Sequence, residues 1–185
     1  MTDKQKDYIA QLSGCHERLG IPATLLQEAL AGQYPQPLCE EALVLESVGT
    51  DVFGRKQRLT PAAAKAWAEM RQAAESEGVE LQLVSAYRGI DYQSDLISRK
   101  LAAGQSLESI LRVSAAPGFS EHHTGRAVDV TTSGVKPLEV EFESSNCFRW
   151  LEKRAGHFGF IMSYPRGNPF QIDYEPWHWC FVEKL

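Results

Sequence analysis

The sequence predicts an α+β fold in which helices flank a small, mixed or mostly antiparallel sheet. Patterns typical of helices come first along the chain, and patterns typical of strands cluster late. That segregation favours the α+β class. The 185 residues, of which 43% are hydrophobic and 23% charged, suit one domain with a sizeable core.

The first forty residues predict a helical extension, residues 1–40, that packs on a main domain of residues 41–185. Its first helix carries apolar side chains at helical spacing, namely Tyr8, Leu12, Cys15 and Leu19. A second short helix is expected after Pro22. The two prolines of GQYPQPLCEE end it, because proline cannot continue a helix.

The clearest helix lies in the segment LTPAAAKAWAEMRQAAESEG. Thr60 can cap its N-terminus, Pro61 fits the first turn, and Gly78 can end the helix. Its apolar stripe comprises Ala63, Trp67, Met70 and Ala74. Further helices are expected over 91–103, in LESILRV and over 145–155.

Four short segments predict the strands. The alternating apolar residues Val79, Leu81 and Leu83 indicate a strand in VELQLVS. Later strands are expected in RAVDVTT, FGFIMSY and EPWHWCFVEKL. The number and length of these segments predict a small sheet.

Composition excludes several classes of partner. The net charge of −5 argues against a nucleic acid or an anionic membrane, because both attract a basic face. No run of about 18 apolar residues exists, so no transmembrane helix is predicted. The N-terminal segment lacks the apolar region of a secretory signal, so a cytoplasmic location is expected.

The four dispersed cysteines are expected as free thiols in or near the core. The sequence makes no prediction of an oligomeric state.

The segment APGFSEHHTGRAVDV brings His122, His123 and Asp129 close together in sequence. On a continuous helix, His122 and Asp129 would lie about 10 Å apart, which is too far to bind one ion. Gly125 allows a bend, because glycine adopts backbone angles that other residues avoid. A loop followed by a strand could therefore bring the imidazole and the carboxylate together.

A third ligand has to come from another segment, and the other histidines are His16, His157 and His178. His178 follows Glu175 by three residues, and Pro176 favours an extended backbone there. Two histidines and one carboxylate leave the fourth position of a zinc ion open for water, as in catalytic sites. A nearby carboxylate that is not a ligand, such as Glu175, can then act as general base. The alternative is a polar, hydrogen-bonded loop that binds no metal.

Three motifs resemble those of the VanY-like zinc carboxypeptidases. SEHHTGRAVD resembles S-x-H-x-x-G-x-A-x-D, and EPWH resembles E-x-W-H near the C-terminus. SAYRG is similar to S-G-Y-R-S, with Ala86 in place of the usual glycine. The resemblance covers roughly Leu59 to Val182. The family includes D-alanyl-D-alanine carboxypeptidases and L,D-carboxypeptidases that trim peptidoglycan stem peptides.

The resemblance implies a small α+β fold with a zinc cleft on the sheet, similar to that of Hedgehog and D-Ala-D-Ala peptidases. It implies that His122, Asp129 and His178 bind Zn²⁺. Glu175 resembles the catalytic base, and Arg88 resembles the arginine that stabilises transition-state charge or holds the substrate. Four further residues are expected to contact the peptide, with the last lining the cleft as a non-ligand: Tyr87, Gln93, Ser120 and His123.

The resemblance implies removal of a terminal D-alanine from a peptidoglycan-derived peptide. The expected cytoplasmic location favours L,D-carboxypeptidase action on a recycled tetrapeptide. A D,D-carboxypeptidase and a D-Ala-D-Ala dipeptidase remain as alternatives, because they use the same residues. A non-catalytic zinc module that binds cell-wall peptides is the alternative from another class. Glu175 and Arg88 argue against it, since a binding module needs no general base.

Overall fold

The computed structural model describes residues 2–183, which form six α-helices and six β-strands. The helices are α1 Asp3–Leu19, α2 Ala23–Leu30, α3 Pro61–Ser76, α4 Ile90–Ala102, α5 Leu107–Val113 and α6 Asn146–Arg154. The strands are β1 Glu46–Thr50, β2 Lys56–Leu59, β3 Gln82–Ser85, β4 Ala127–Thr131, β5 Phe160–Met162 and β6 His178–Phe181. The predicted α+β class is confirmed.

The main sheet has the strand order β3-β4-β6-β5, and each neighbouring pair is antiparallel. Strand β4 lies between β3 and β6. Its residue Asp129 therefore pairs with Ser85 on one side and with His178 on the other. This register brings residues that are far apart in sequence to one point of the sheet.

The hairpin of β1 and β2 was not predicted from the sequence. Strand β1, ESVGT, is mostly exposed. In β2, KQRL, burial alternates, but one of the two buried residues is Gln57, so the sequence shows no apolar period of two. The predicted strand in VELQLVS is present as β3, and Leu81 and Leu83 are buried on either side of the less buried Gln82, but the alternation stops at Leu83. Leu83, Val84 and Ser85 are all buried, and the pairing register shifts between Leu83 and Ser85. That irregularity breaks the strict two-residue period.

All six predicted helices are present. Helix α3 starts at Pro61 and is followed by Gly78, as its sequence signals indicate. Thr60 occupies the N-cap position, but its side chain makes no capping hydrogen bond. Its backbone N–H instead donates to the Gly125 carbonyl at 2.8 Å, which ties the start of α3 to the start of β4.

Two apolar clusters form the core. One joins α3 and α6 to the sheet, with Trp67, Val128 and Leu151 among its members. The other joins α1 and α2 to α4 and α5, and it includes Leu12 and Ile97. The four cysteines are buried and free, as predicted. The domain boundary at residue 40 stays a prediction.

Within residues 2–183, none of the helices combines the length and the apolar character that crossing a bilayer requires.

Candidate metal centre and active-site cleft

Three backbone elements bring the predicted ligands together. Strands β4 and β6 place Asp129 directly opposite His178. His122 lies on a short 3-10 helix, Glu121–Thr124, that precedes β4. Gly125 ends this turn with a φ of 64°. The backbone angle favours glycine, and a Cβ at that position would lie 2.8 Å from Leu45 Cδ2, so the Leu45 side chain would have to move.

The three side chains form a buried cluster. One ligand atom from each of His122, Asp129 and His178 lies within 4.8 Å of the others. Asp129 Oδ2 is 3.2 Å from His122 Nε2, and Asp129 Oδ1 is 3.0 Å from His178 Nδ1. The predicted loop-then-strand path therefore places an imidazole and a carboxylate at one point. His16 lies elsewhere and donates from Nε2 to the Pro117 carbonyl at 2.9 Å.

The hydrogen bonds of His122 leave one of its nitrogens available to a metal. Its Nδ1–H donates to the Ala86 carbonyl at 2.6 Å. Its Nε2 is buried and has no hydrogen-bond partner. Burial lowers the pKa of His122 to about 4, and the Arg88 charge acts in the same direction. The ring is therefore neutral at physiological pH, with the Nε2 lone pair directed at the cluster.

His178 shows the complementary arrangement. Its Nε2–H donates to Glu121 Oε2 at 2.8 Å, and its Nδ1 faces Asp129 Oδ1. Two acceptor atoms 3.0 Å apart need a cation between them, either a proton or a metal. Burial disfavours the proton, but the Asp129 and Glu121 carboxylates raise the pKa of His178 to about 10. In addition, His122 donates its other N–H to a carbonyl and His178 donates its other N–H to a carboxylate. Histidine ligands of Zn²⁺ commonly have such partners, so the donor set fits Zn²⁺.

Glu175 lies beside this cluster and outside it. Its Oε2 is 3.9 Å from His178 Nδ1, and its backbone N–H donates to the Tyr164 carbonyl at 3.1 Å. Burial raises the pKa of Glu175 to about 7, against the attraction of His178. A carboxylate with a pKa near neutrality can accept a proton and then release it.

Arg88 contacts the cluster from the segment that follows β3. Its Nη1 donates to Asp129 Oδ2 at 3.3 Å and to Ser85 Oγ at 3.1 Å. Its buried Nε has no hydrogen-bond partner. The backbone of Arg88 is held by His123, whose Nδ1–H donates to the Arg88 carbonyl at 2.6 Å.

The four residues expected to contact the peptide make contacts within the protein. His123 Nε2 accepts from the Gly118 N–H at 3.1 Å, so both ring nitrogens are engaged. Gln93 Nε2 donates to the Ala115 carbonyl at 2.8 Å, and the Tyr87 hydroxyl donates to Glu41 Oε1 at 3.1 Å. Ser120 is buried before the 3-10 helix. Their contacts with the peptide stay predictions.

A cleft of about 410 Å³ opens next to the cluster. Arg88, Asp129 and Glu175 line it together with exposed apolar side chains, Phe53 and Leu138 among them. The cleft can therefore hold a peptide whose reacting bond meets the charged groups. Among the described side chains that line it, the four expected peptide-contacting residues are absent.

Sequence reasoning missed two residues of this region. Glu121, the partner of His178, lies directly before His122 in SEHH. The preference of metal-bound histidines for a carboxylate partner could have indicated it. Lys100, at the end of α4, lines the cleft beside Ser114. No motif marks it, because only the tertiary fold brings α4 to the cleft.

Known proteins with similar sequences share this region. The family model VanY, D-alanyl-D-alanine carboxypeptidase, matches residues 56–184. YodJ of Bacillus subtilis is 35% identical over 133 residues, or 70% of this chain and 48% of that protein. A D-alanyl-D-alanine carboxypeptidase of Enterococcus faecalis is 30% identical over 124 residues, or 62% of this chain and 44% of that protein. The chain thus spans less than half the length of these two relatives.

Solved structures show the same fold. The LD-carboxypeptidase LdcB matches with a TM-score of 0.71 and 30% identity, covering 82% of this chain and 75% of LdcB. A variant of the vancomycin resistance D,D-pentapeptidase VanY in complex with Zn(II) matches with a TM-score of 0.60 and 28% identity, covering 75% and 78%. VanYB in complex with D-Ala-D-Ala matches with a TM-score of 0.63 and 25% identity, covering 80% and 82%. The VanY family model matches more than half of the residues of this chain. The chain therefore belongs to the VanY family of D-alanyl-D-alanine carboxypeptidases.

Proposed function

We propose that this chain is a zinc-dependent carboxypeptidase that removes a terminal D-alanine from peptidoglycan stem peptides. One observation carries the proposal: a three-ligand site with an unpartnered imidazole nitrogen lies beside a buried carboxylate with a pKa of about 7. A structural zinc site has no use for such a carboxylate and is usually closed by four protein ligands.

The residues divide the chemistry of hydrolysis among themselves. His122, Asp129 and His178 would hold the zinc ion, which when bound activates water and polarises the scissile carbonyl. Glu175 accepts a proton from the attacking water, whose oxygen adds to the carbonyl carbon. The same carboxyl group then gives that proton to the leaving amine as the C–N bond breaks. Arg88 stabilises negative charge on the substrate, and its unpartnered Nε shows that its donors are not all used.

The preferred specificity is L,D-carboxypeptidase action on a recycled tetrapeptide in the cytoplasm. Similarity to LdcB, an LD-carboxypeptidase, supports it. Similarity to the E. faecalis D-alanyl-D-alanine carboxypeptidase supports the D,D alternative. A D-Ala-D-Ala dipeptidase would use the same residues. The non-catalytic zinc module is the least favoured alternative, because Glu175 and Arg88 line the same cleft.

A substrate panel tests the proposal. The full chain is incubated with a stem tetrapeptide, a stem pentapeptide and D-Ala-D-Ala, with and without a chelator, and the products are weighed by mass spectrometry. We expect the tetrapeptide to lose one D-alanine, the chelator to stop the reaction and added zinc to restore it. Shortening of the pentapeptide alone would refute the L,D choice. Peptide binding without any shortening would favour the binding module.

A further inference from the structure

The cleft contains a cation that the chemistry described above does not use. Lys100 is half-buried in the lining of the cleft, together with Arg88 and Glu175. Its Nζ donates to Ser114 Oγ at 2.7 Å. The Ser114 hydroxyl in turn donates to the Val113 carbonyl at 2.7 Å, so its oxygen is oriented to accept from the lysine. The ammonium group is therefore positioned by one hydrogen bond to Ser114.

Lys100 differs from the other cations of the cleft lining in having no counter-ion. Arg55 Nε lies 2.6 Å from Asp51 Oδ2, and Arg88 Nη1 lies 3.3 Å from Asp129 Oδ2. Across residues 2–183, none of the ion pairs with an N–O distance of up to 4.0 Å includes Lys100. An ammonium group has three donors, and Ser114 accepts from one. Two donors thus remain for a ligand.

The electrostatic surroundings of Lys100 suit an anion. Burial lowers the pKa of Lys100, the charge of Arg88 lowers it further, and Glu175 acts in the opposite direction. A partly desolvated ammonium group next to a second cation gains from a bound carboxylate. Apolar side chains, including Leu96 and Val113, line the same cleft.

We propose that Lys100 binds the terminal carboxylate of the substrate, so that only peptides with a free C-terminus are cleaved efficiently. This inference rests on the proposed function. The leaving amino acid carries its amine and its carboxylate on the same carbon atom. A group that binds the carboxylate must therefore lie in the same cleft as the residue that protonates the amine. Lys100 meets this condition, because it lines the cleft together with Glu175 and Arg88.

The test compares a D-alanine-terminated peptide with the same peptide ending in D-alaninamide. For the wild-type chain we expect faster cleavage of the free acid. Lys100→Gln should lower kcat/KM for the free acid by about 10- to 100-fold, the range for a lost hydrogen bond between charged groups. Cleavage of the amide should change less than about twofold. Lys100→Arg should recover part of the loss, and Lys65→Gln, on the exposed face of α3, should match the wild type.

Direct binding provides a second measurement. In a Glu175→Gln background, calorimetry with the free-acid peptide should show weaker binding when Lys100→Gln is added, and unchanged binding of the amide. Equal losses for acid and amide would overturn the inference, as would no loss for the acid.

Two further outcomes distinguish the possible failures. Peptides with and without a side-chain carboxylate on the residue before D-alanine are compared. A loss confined to the acidic side chain would assign Lys100 to that group and overturn its assignment to the terminus. Failure of the wild-type chain to cleave either peptide would overturn the proposed function and this inference with it.

Discussion

The hydrogen-bond partners of each histidine determine which of its nitrogens could bind a metal ion at the candidate metal centre. In His122 a backbone carbonyl occupies Nδ1, and in His178 the Glu121 carboxylate occupies Nε2. The remaining nitrogens both face Asp129. The ring orientations are thus fixed by the protein before any ion binds, which lowers the cost of forming the site.

Glu121 is expected to control zinc affinity through His178. Glu121→Gln keeps an oxygen acceptor for the His178 Nε2–H but removes the negative charge, so His178 becomes a weaker ligand. We expect zinc affinity to fall by about 10- to 100-fold, as for other outer partners of metal ligands. Competition with a chromogenic chelator measures it. Glu141→Gln, an exposed change, is the control. Equal zinc affinity in both variants would contradict this role.

Glu175 is expected to act on the reaction and not on the metal. In Glu175→Gln the amide cannot accept a proton, so kcat should fall by about 10²- to 10⁴-fold. Zinc content should stay near that of the wild type, because Glu175 is outside the ligand cluster. Steady-state kinetics and metal analysis of the same sample test both expectations. The matched control is Glu152→Gln on the exposed surface of α6. A fully active Glu175→Gln variant would remove the assigned base.

At this scale, sequence motifs predicted three residues that the fold brings into one cluster, His122, Asp129 and His178, and placed Glu175 beside them. Their roles as zinc ligands and base stay predictions. The motifs did not identify Lys100 or the protonated nitrogen of each ring. Those features depend on contacts such as Lys100 with Ser114 and His122 with the Ala86 carbonyl. These contacts join residues from different segments of the chain, so no local sequence pattern indicates them.

Among the elements, the junction between the 3-10 helix and β4 positions the site. Gly125→Ala places a Cβ 2.8 Å from Leu45 Cδ2 and 3.1 Å from Ala42 Cβ at a positive φ. Gly78→Ala has a similar φ of 72° but open space around it. Both changes should cost about 1–2 kcal/mol for the backbone angle. The first should cost more and should also weaken zinc binding. Denaturant unfolding and zinc titration test this, and equal effects of the two changes would contradict it.

Helix α1 is expected to make stability depend on pH through His16. Burial lowers the pKa of His16 below its ordinary 6.5, against the effect of its hydrogen bond to Pro117. The unfolded chain therefore binds more protons than the folded chain as pH falls through about 6.5, and stability should decrease.

Replacing this histidine tests that expectation. His16→Gln keeps an N–H donor and removes the titration, so its unfolding free energy should fall less steeply between about pH 7.5 and 5.5 than that of the wild type. Urea unfolding at several pH values measures it. Parallel pH curves for the two proteins would contradict the assignment.

The elements differ in how well their sequences indicate them. Helix α3 has a proline at its start, a glycine after its end and one apolar stripe, and these local signals agree. The β1–β2 hairpin is polar and mostly exposed, so no periodic pattern of apolar residues in the sequence predicts its strand pairing. Strand β3 is covered on both faces, which removes the alternation expected of a half-buried strand.

For the whole molecule, one apolar cluster packs on the sheet and a second joins the helices α1, α2, α4 and α5, while strands β4 and β6 of the sheet carry two residues of the candidate metal centre. The segment before β1 takes part, since the Cys39 N–H donates to the Gly118 carbonyl and the Ala42 N–H donates to the His123 carbonyl. These bonds, at 2.7 and 2.8 Å, support the loop that carries His122. The architecture was predictable from the order of helices and strands, whereas this support across the chain was not.

Reconstitution with zinc tests the central claim most directly. The full chain is stripped with a chelator, titrated with zinc and assayed by release of D-alanine from a stem peptide. We expect stripping to abolish hydrolysis and one zinc per chain to restore it, while Asp129→Asn fails to recover at the same zinc concentration. Full hydrolysis by the metal-free chain, or equal recovery in the Asp129→Asn variant, would contradict a zinc centre built from His122, Asp129 and His178.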